Sequence, residues 1–96
     1  MNNKKLNLQR KKLDKLDNKL LDLIKKRTEI VKKVIKLKKY KKQIVDYQRI
    51  KKVLKNIKTK SLNKNIDPII TKKIWTSMIR SYIDYEKRNF NKIHKK

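Results

Sequence analysis

Residues 6–41 read LNLQRKKLDKLDNKLLDLIKKRTEIVKKVIKLKKYK, with no Gly and no Pro to interrupt a helix. Leu6, Leu13, Leu16, Leu20, Leu23, Ile24, Ile30, Val31, Val34 and Leu37 recur at three- and four-residue spacing, the period of one helix face. A helix of about 35 residues is about 50 Å long. Two short partner helices from a single 96-residue chain cannot cover a stripe of that length. The simplest remedy is a second long helix from another copy, packed antiparallel.

Outward from this segment, residues 41–45 form a break, and Asp46 is placed to cap a second helix by accepting orphan backbone N–H groups. Ile50, Val53, Leu54 and Ile57 mark its apolar face. Thr59 to Ile66 is polar and reads as a loop. Asp67-Pro68 reads as an N-cap followed by Pro at the first helical position. The third helix carries Ile70, Ile74, Trp75, Met78, Ile79, Tyr82 and Ile83 and runs to about Phe90. The expectation is one all-α domain over 1–96, with helices at about 5–41, 47–59 and 68–90 and a frayed basic tail over 91–96. No sheet and no internal repeat is expected.

Composition narrows the chemistry. The chain has no Cys, so disulfides and thiolate metal sites are excluded. Its one His, His94, lies in the basic tail, which excludes a multi-histidine metal site within one chain. No apolar run reaches membrane-spanning length, and the polar, Lys-containing N-terminus lacks the apolar region of a signal peptide. A cytoplasmic location without membrane association is expected. The charge is extreme, with 32 Lys+Arg against 8 Asp+Glu and a formal net charge of +24. Such a balance suits nucleic-acid binding. It also suits compositional drift, because the chain has no Gly or Ala and abounds in Lys, Asn and Ile, the residues of AT-rich coding. Either way, a positive field attracts small dianions.

Three cations lie on or beside the face that the apolar pattern marks for burial: Arg10, Arg27 and Lys38. A buried unpaired cation costs several kcal/mol in rough terms, so each needs an anion. With so few acids in the chain, a ligand becomes an attractive source. Only five of the 32 basic residues are Arg, and Arg10, Arg27 and Arg49 all fall near apolar faces. Arg supplies a planar two-pronged donor that Lys lacks. The alternative is that each arginine lies over the core edge and snorkels to solvent. Arg27 and Lys38 are eleven residues apart, about three turns and about 16 Å, so their long side chains could hold a small dianion between them. Arg10 is about 25 Å from Arg27 along the same helix, but an antiparallel second copy would bring its own Arg10 close.

These residues resemble the AroQ-type chorismate mutases. Leu8-Gln9-Arg10, then Leu13-Asp14-Lys15-Leu16-Asp17 through Leu20-Leu21-Asp22-Leu23-Ile24, then Lys26-Arg27, is similar to that family's opening. Lys38 stands where the family has its catalytic lysine, and Asp46-x-x-Arg49 matches its Asp-x-x-Arg at the start of helix 2. Asp67-Pro68 and Ile74-Trp75-x-x-Met78-Ile79 resemble its third helix. The resemblance covers nearly the whole chain. It implies an intertwined antiparallel homodimer that rearranges the dianion chorismate to prephenate in aromatic amino-acid biosynthesis from the shikimate pathway, without cofactor or metal. It further implies that Arg10 from the partner chain and Arg27 bind the two carboxylates. Lys38 donates to the ether oxygen and a carboxylate, and Asp46 and Arg49 line the helix 2 side near the ring hydroxyl.

Three positions depart from the family pattern. Ile50 stands where members usually have a Glu that contacts the substrate hydroxyl. Tyr82 and Glu86 stand where many members have Ser and Gln, and that Gln donates to the ether oxygen. A carboxylate cannot donate, whereas a protonated carboxylic acid can. Fungal chorismate mutases are similar in placing Glu there, and a Glu86 that must donate implies activity falling as pH rises. The isochorismate-pyruvate lyases share the fold and are similar in an apolar residue after the helix 2 Arg, a Tyr at the place of Tyr82 and a short Lys38-to-Arg49 loop. Asp46 and Glu86 favour the mutase, so isochorismate cleavage is the alternative activity. Outside enzymes, a basic nucleic-acid-binding protein is the main rival, and a coiled-coil adaptor is a third reading. The few aromatics cluster in helix 3 and the arginines lie toward the buried stripe, which argues against nucleic acid.

Overall fold

A computed structural model describes residues 3–94, and all of its regular structure among them is helical. α1 spans Asn3–Leu37, α2 spans Tyr47–Asn63 and α3 spans Pro68–His94, with a single 3-10 turn at Lys41–Gln43 between α1 and α2. No described helix is long and apolar enough to cross a membrane. The chain divides into two compact units, one up to Lys33 and one from Val34 onward.

Among the described residues, the first unit consists of α1 residues. Its stripe of Leu6, Leu13, Leu16, Leu20, Leu23, Ile24 and Ile30 stays exposed in the single chain, Leu20 at 54 %. Val31 is half-buried.

The second unit has its core at two places. Ile35, Ile44 and Phe90 are buried together with Glu86, and Ser61 and Thr71 are buried where α2 meets α3. The two hydroxyls lie 2.7 Å apart, so each buried oxygen has a partner.

Local chemistry sets the helix ends. α1 stops at Leu37, four residues before the expected Lys41. The Lys38 N–H is shared between the Val34 and Ile35 carbonyls, both at 3.2 Å, which tightens the last turn. Tyr40 is extended, with φ −125° and ψ 143°, and its N–H donates to Gln43 Oε1 at 2.9 Å. The expected break is therefore an ordered turn. Asp46 opens α2 with its carboxylate accepting from the Arg49 N–H at 3.0 Å.

α2 runs to Asn63, past the expected end at 59. The polar Thr59 and Ser61 read as loop residues, but their hydroxyls donate to the Lys55 and Ile57 carbonyls at 3.2 and 2.6 Å within a continuing helix. The helix ends in a Schellman arrangement. Ile66 N donates to Ser61 O at 2.8 Å and Asn65 N to Leu62 O at 3.2 Å, with Asn65 in the left-handed region at φ 58°. In a chain without Gly, Asn is the residue that adopts this conformation at least cost. Asp67 then caps α3, its Oδ1 accepting from the Ile69 N–H at 2.9 Å ahead of Pro68.

α3 also outruns its expected end at Phe90. Residues 91–94 are helical rather than frayed, because buried Phe90 and the His94 ring stack at 4.3 Å and tie down the last turn. The last two residues of the expected tail, Lys95 and Lys96, lie outside the described residues.

Candidate active site

The second unit brings two of the expected site residues into direct contact. Lys38 lies one residue past α1 and Glu86 in the middle of α3, 48 residues away in sequence. Lys38 Nζ donates to Glu86 Oε1 at 3.2 Å and to the Ile44 carbonyl at 3.3 Å. Glu86 is buried, at 6 % exposure, and the Lys38 side chain retains 21 %. Reading the sequence left Lys38 in want of an anion and favoured a ligand for that part. The chain itself supplies one, through Glu86.

An ammonium has three donors, and these two contacts take two of them. The third is available to a ligand oxygen. Ile44 was not singled out from sequence beyond its place in the break. Its apolar side chain, set among Lys and Gln, is the signal that could have found it. It is buried at 3 %, which fixes its carbonyl against Lys38.

The remaining helix 2 and helix 3 positions have distinct settings. Asp46 and Arg49 are exposed at the start of α2 and are joined through the capping hydrogen bond, which occupies one Asp46 oxygen. The Arg49 guanidinium is thus carried on the first turn of a capped helix. Ile50 and Tyr82 are half-buried, and Tyr82 sits one turn before Glu86 on α3. Arg10 and Arg27 belong to the first unit. There Arg10 is exposed, and Arg27 is half-buried beside Thr28, whose hydroxyl donates to the Ile24 carbonyl at 2.8 Å.

Among the described residues, no group of three or more His, Cys, Asp or Glu side chains could hold a metal ion. What the Lys38–Glu86 arrangement can do is electrostatic. It presents a fixed ammonium beside a buried carboxyl group, suited to binding an anion and to stabilising charge on an oxygen.

Comparison with curated proteins and with solved structures gives no match. The chain does match the family described as chorismate mutase type II, over residues 9–87. That segment contains all eight candidate residues, from Arg10 to Glu86, and most of the chain. The chain therefore belongs to the type II chorismate mutases.

Proposed function

We propose that this chain is a chorismate mutase that works as a homodimer and rearranges chorismate to prephenate. The observation that carries the reading is the Lys38–Glu86 contact, formed between two residues of the matched segment. In this reaction the substrate's ether C–O bond breaks as a new C–C bond forms within the same molecule. No atom leaves, and no nucleophile or redox step is needed. Catalysis consists of holding the substrate compact and stabilising negative charge on the ether oxygen.

The roles follow from the family. Lys38 donates to the ether oxygen and a carboxylate, and Glu86 holds and aims the Lys38 ammonium. Arg27 and Arg10 from a second copy grip the two carboxylates, where a two-pronged donor outperforms Lys. Asp46 and Arg49 face the ring hydroxyl side, with Ile50 and Tyr82 as walls. The exposed leucine stripe from Leu6 to Leu23 supports the dimer, since contiguous exposed apolar surface marks an interface. Its burial against a second copy would complete the site with the second Arg10. The reading places the protein in the cytoplasm, in aromatic amino-acid biosynthesis, and needs no nucleic acid.

A second reading has specific support. Ile50 and Tyr82, both half-buried, occupy the positions at which isochorismate-pyruvate lyases carry an apolar residue and a Tyr. The purified protein incubated with chorismate and, separately, with isochorismate at pH 5 and pH 8 decides between them. Prephenate from chorismate is expected. Salicylate and pyruvate from isochorismate, with little prephenate, would replace the mutase by the lyase. Turnover of neither would refute both.

A further inference from the structure

His94 closes α3 beyond the matched segment, which ends at residue 87. Its Nε2 lies 2.8 Å from the Ile35 carbonyl, 59 residues away. Ile35 is fully buried, at 0 % exposure, and lies in the last turn of α1. Carbonyls in that turn lack the regular i+4 helical donor, and the Ile35 oxygen receives from the backbone only a shared, 3-10-type bond. A carbonyl only accepts, so Nε2 carries the proton. The Nε2–H tautomer supplies that donor.

The same carbonyl accepts the Lys38 N–H at 3.2 Å. One oxygen is therefore held by His94 and by the backbone of the lysine that reaches Glu86. Glu86, Phe90 and His94 recur every fourth residue along α3, so one face of that helix carries both contacts. Glu86 fixes the Lys38 ammonium at 3.2 Å, Phe90 supports the imidazole, and His94 fixes the backbone from which Lys38 springs.

We infer that His94 is a positioning residue, a latch that holds the end of α1 so that the Lys38 ammonium stays aimed. The inference rests on the chorismate mutase reading for its kinetic effect, but the latch itself can be tested without turnover.

Three variants separate the parts. His94→Gln keeps an amide donor at the reach of Nε2, His94→Phe keeps the ring stack without the donor, and His94→Ala removes both. With chorismate, the Phe and Ala variants are expected to lose about tenfold in kcat with KM within about twofold, the scale of one lost hydrogen bond. His94→Gln is expected to recover most of it. A merely structural role would lower the amount of folded protein, read by circular dichroism, and leave kcat per folded molecule unchanged.

The second arm uses no substrate. In a 15N NMR spectrum of the wild-type protein, Nε2 of His94 should carry the proton, and the Lys38 amide should lose exchange protection in His94→Phe. An Nδ1–H tautomer, or unchanged Lys38 protection, would overturn the latch. So would a wild-type kcat in the folded Phe variant. If the wild-type protein fails to turn over chorismate, the proposed activity falls while the NMR arm still decides the latch.

Discussion

The Lys38–Glu86 pair can be measured as a stability coupling, apart from any catalysis. Lys38→Met keeps most of the aliphatic stem but leaves a buried carboxylate and the Ile44 carbonyl without their shared donor. Removing one partner of a fully buried pair costs about 3–5 kcal/mol. The Lys38 side chain retains 21 % of its exposure, so water reaches part of the ammonium and the cost is discounted to about 2 kcal/mol. For a chain of this size that is about 8–16 °C in Tm. Glu86→Met alone should cost less, because the partly exposed ammonium keeps the Ile44 carbonyl and can turn to water. The double variant removes both charges and should recover about 1–2 kcal/mol relative to the sum of the singles. The assay is thermal and urea unfolding of all four proteins by circular dichroism at one fixed protomer concentration, which a dimer requires. A Lys38→Met shift under about 2 °C, or single effects that simply add within about 0.3 kcal/mol, would refute the coupling.

Other perturbations test neighbouring parts of the reasoning. Leu20→Glu places a charge in the exposed apolar stripe and is expected to shift the protein from dimer to monomer in sedimentation velocity, with loss of turnover. An unchanged dimer would remove the stripe from the interface. Arg27→Ala is expected to leave a folded, helical protein and lower kcat/KM for chorismate by about a hundredfold or more, the scale of a lost charged donor. A wild-type rate would remove Arg27 from the site. Asn65→Ala is expected to lower stability by about 1 kcal/mol, since Ala resists the φ of 58° that ends α2. Asn65→Gly should hold or raise it, and equal Tm values for the two would show that the left-handed turn does not govern that helix end.

Much of this fold was legible because helix starts are written locally. Asp46 and Asp67 stand one residue before their helices, and each accepts from a backbone N–H two or three residues on. The ends were less legible, for a different reason at each. Thr59 and Ser61 look like loop residues by composition, yet their hydroxyls back-bond to the preceding turn and the helix continues through them. Residues 91–94 look frayed because they are basic and polar, and nothing local announces that His94 meets a carbonyl 59 residues away. Lys38 was named from its place beside the apolar stripe, and Glu86 through the family's pattern. That they meet depends on packing between the end of α1 and α3, which no spacing rule encodes. The apolar period of residues 6–30 was plain, and it stays exposed because the first unit is one helical segment with no second element of its own to cover the stripe.

The Lys38–Glu86 contact has a consequence for the charge balance of the fold. A partly buried ammonium with no anion beside it would burden the folded state, and a chain with a net charge of +24 has few acids to spare for one. Glu86, one of only 8 acids in the chain, is the resident counter-ion to Lys38. Under the proposed function, a dianion would meet an ammonium with one donor still open, so it would add to the Lys38–Glu86 pair rather than displace it.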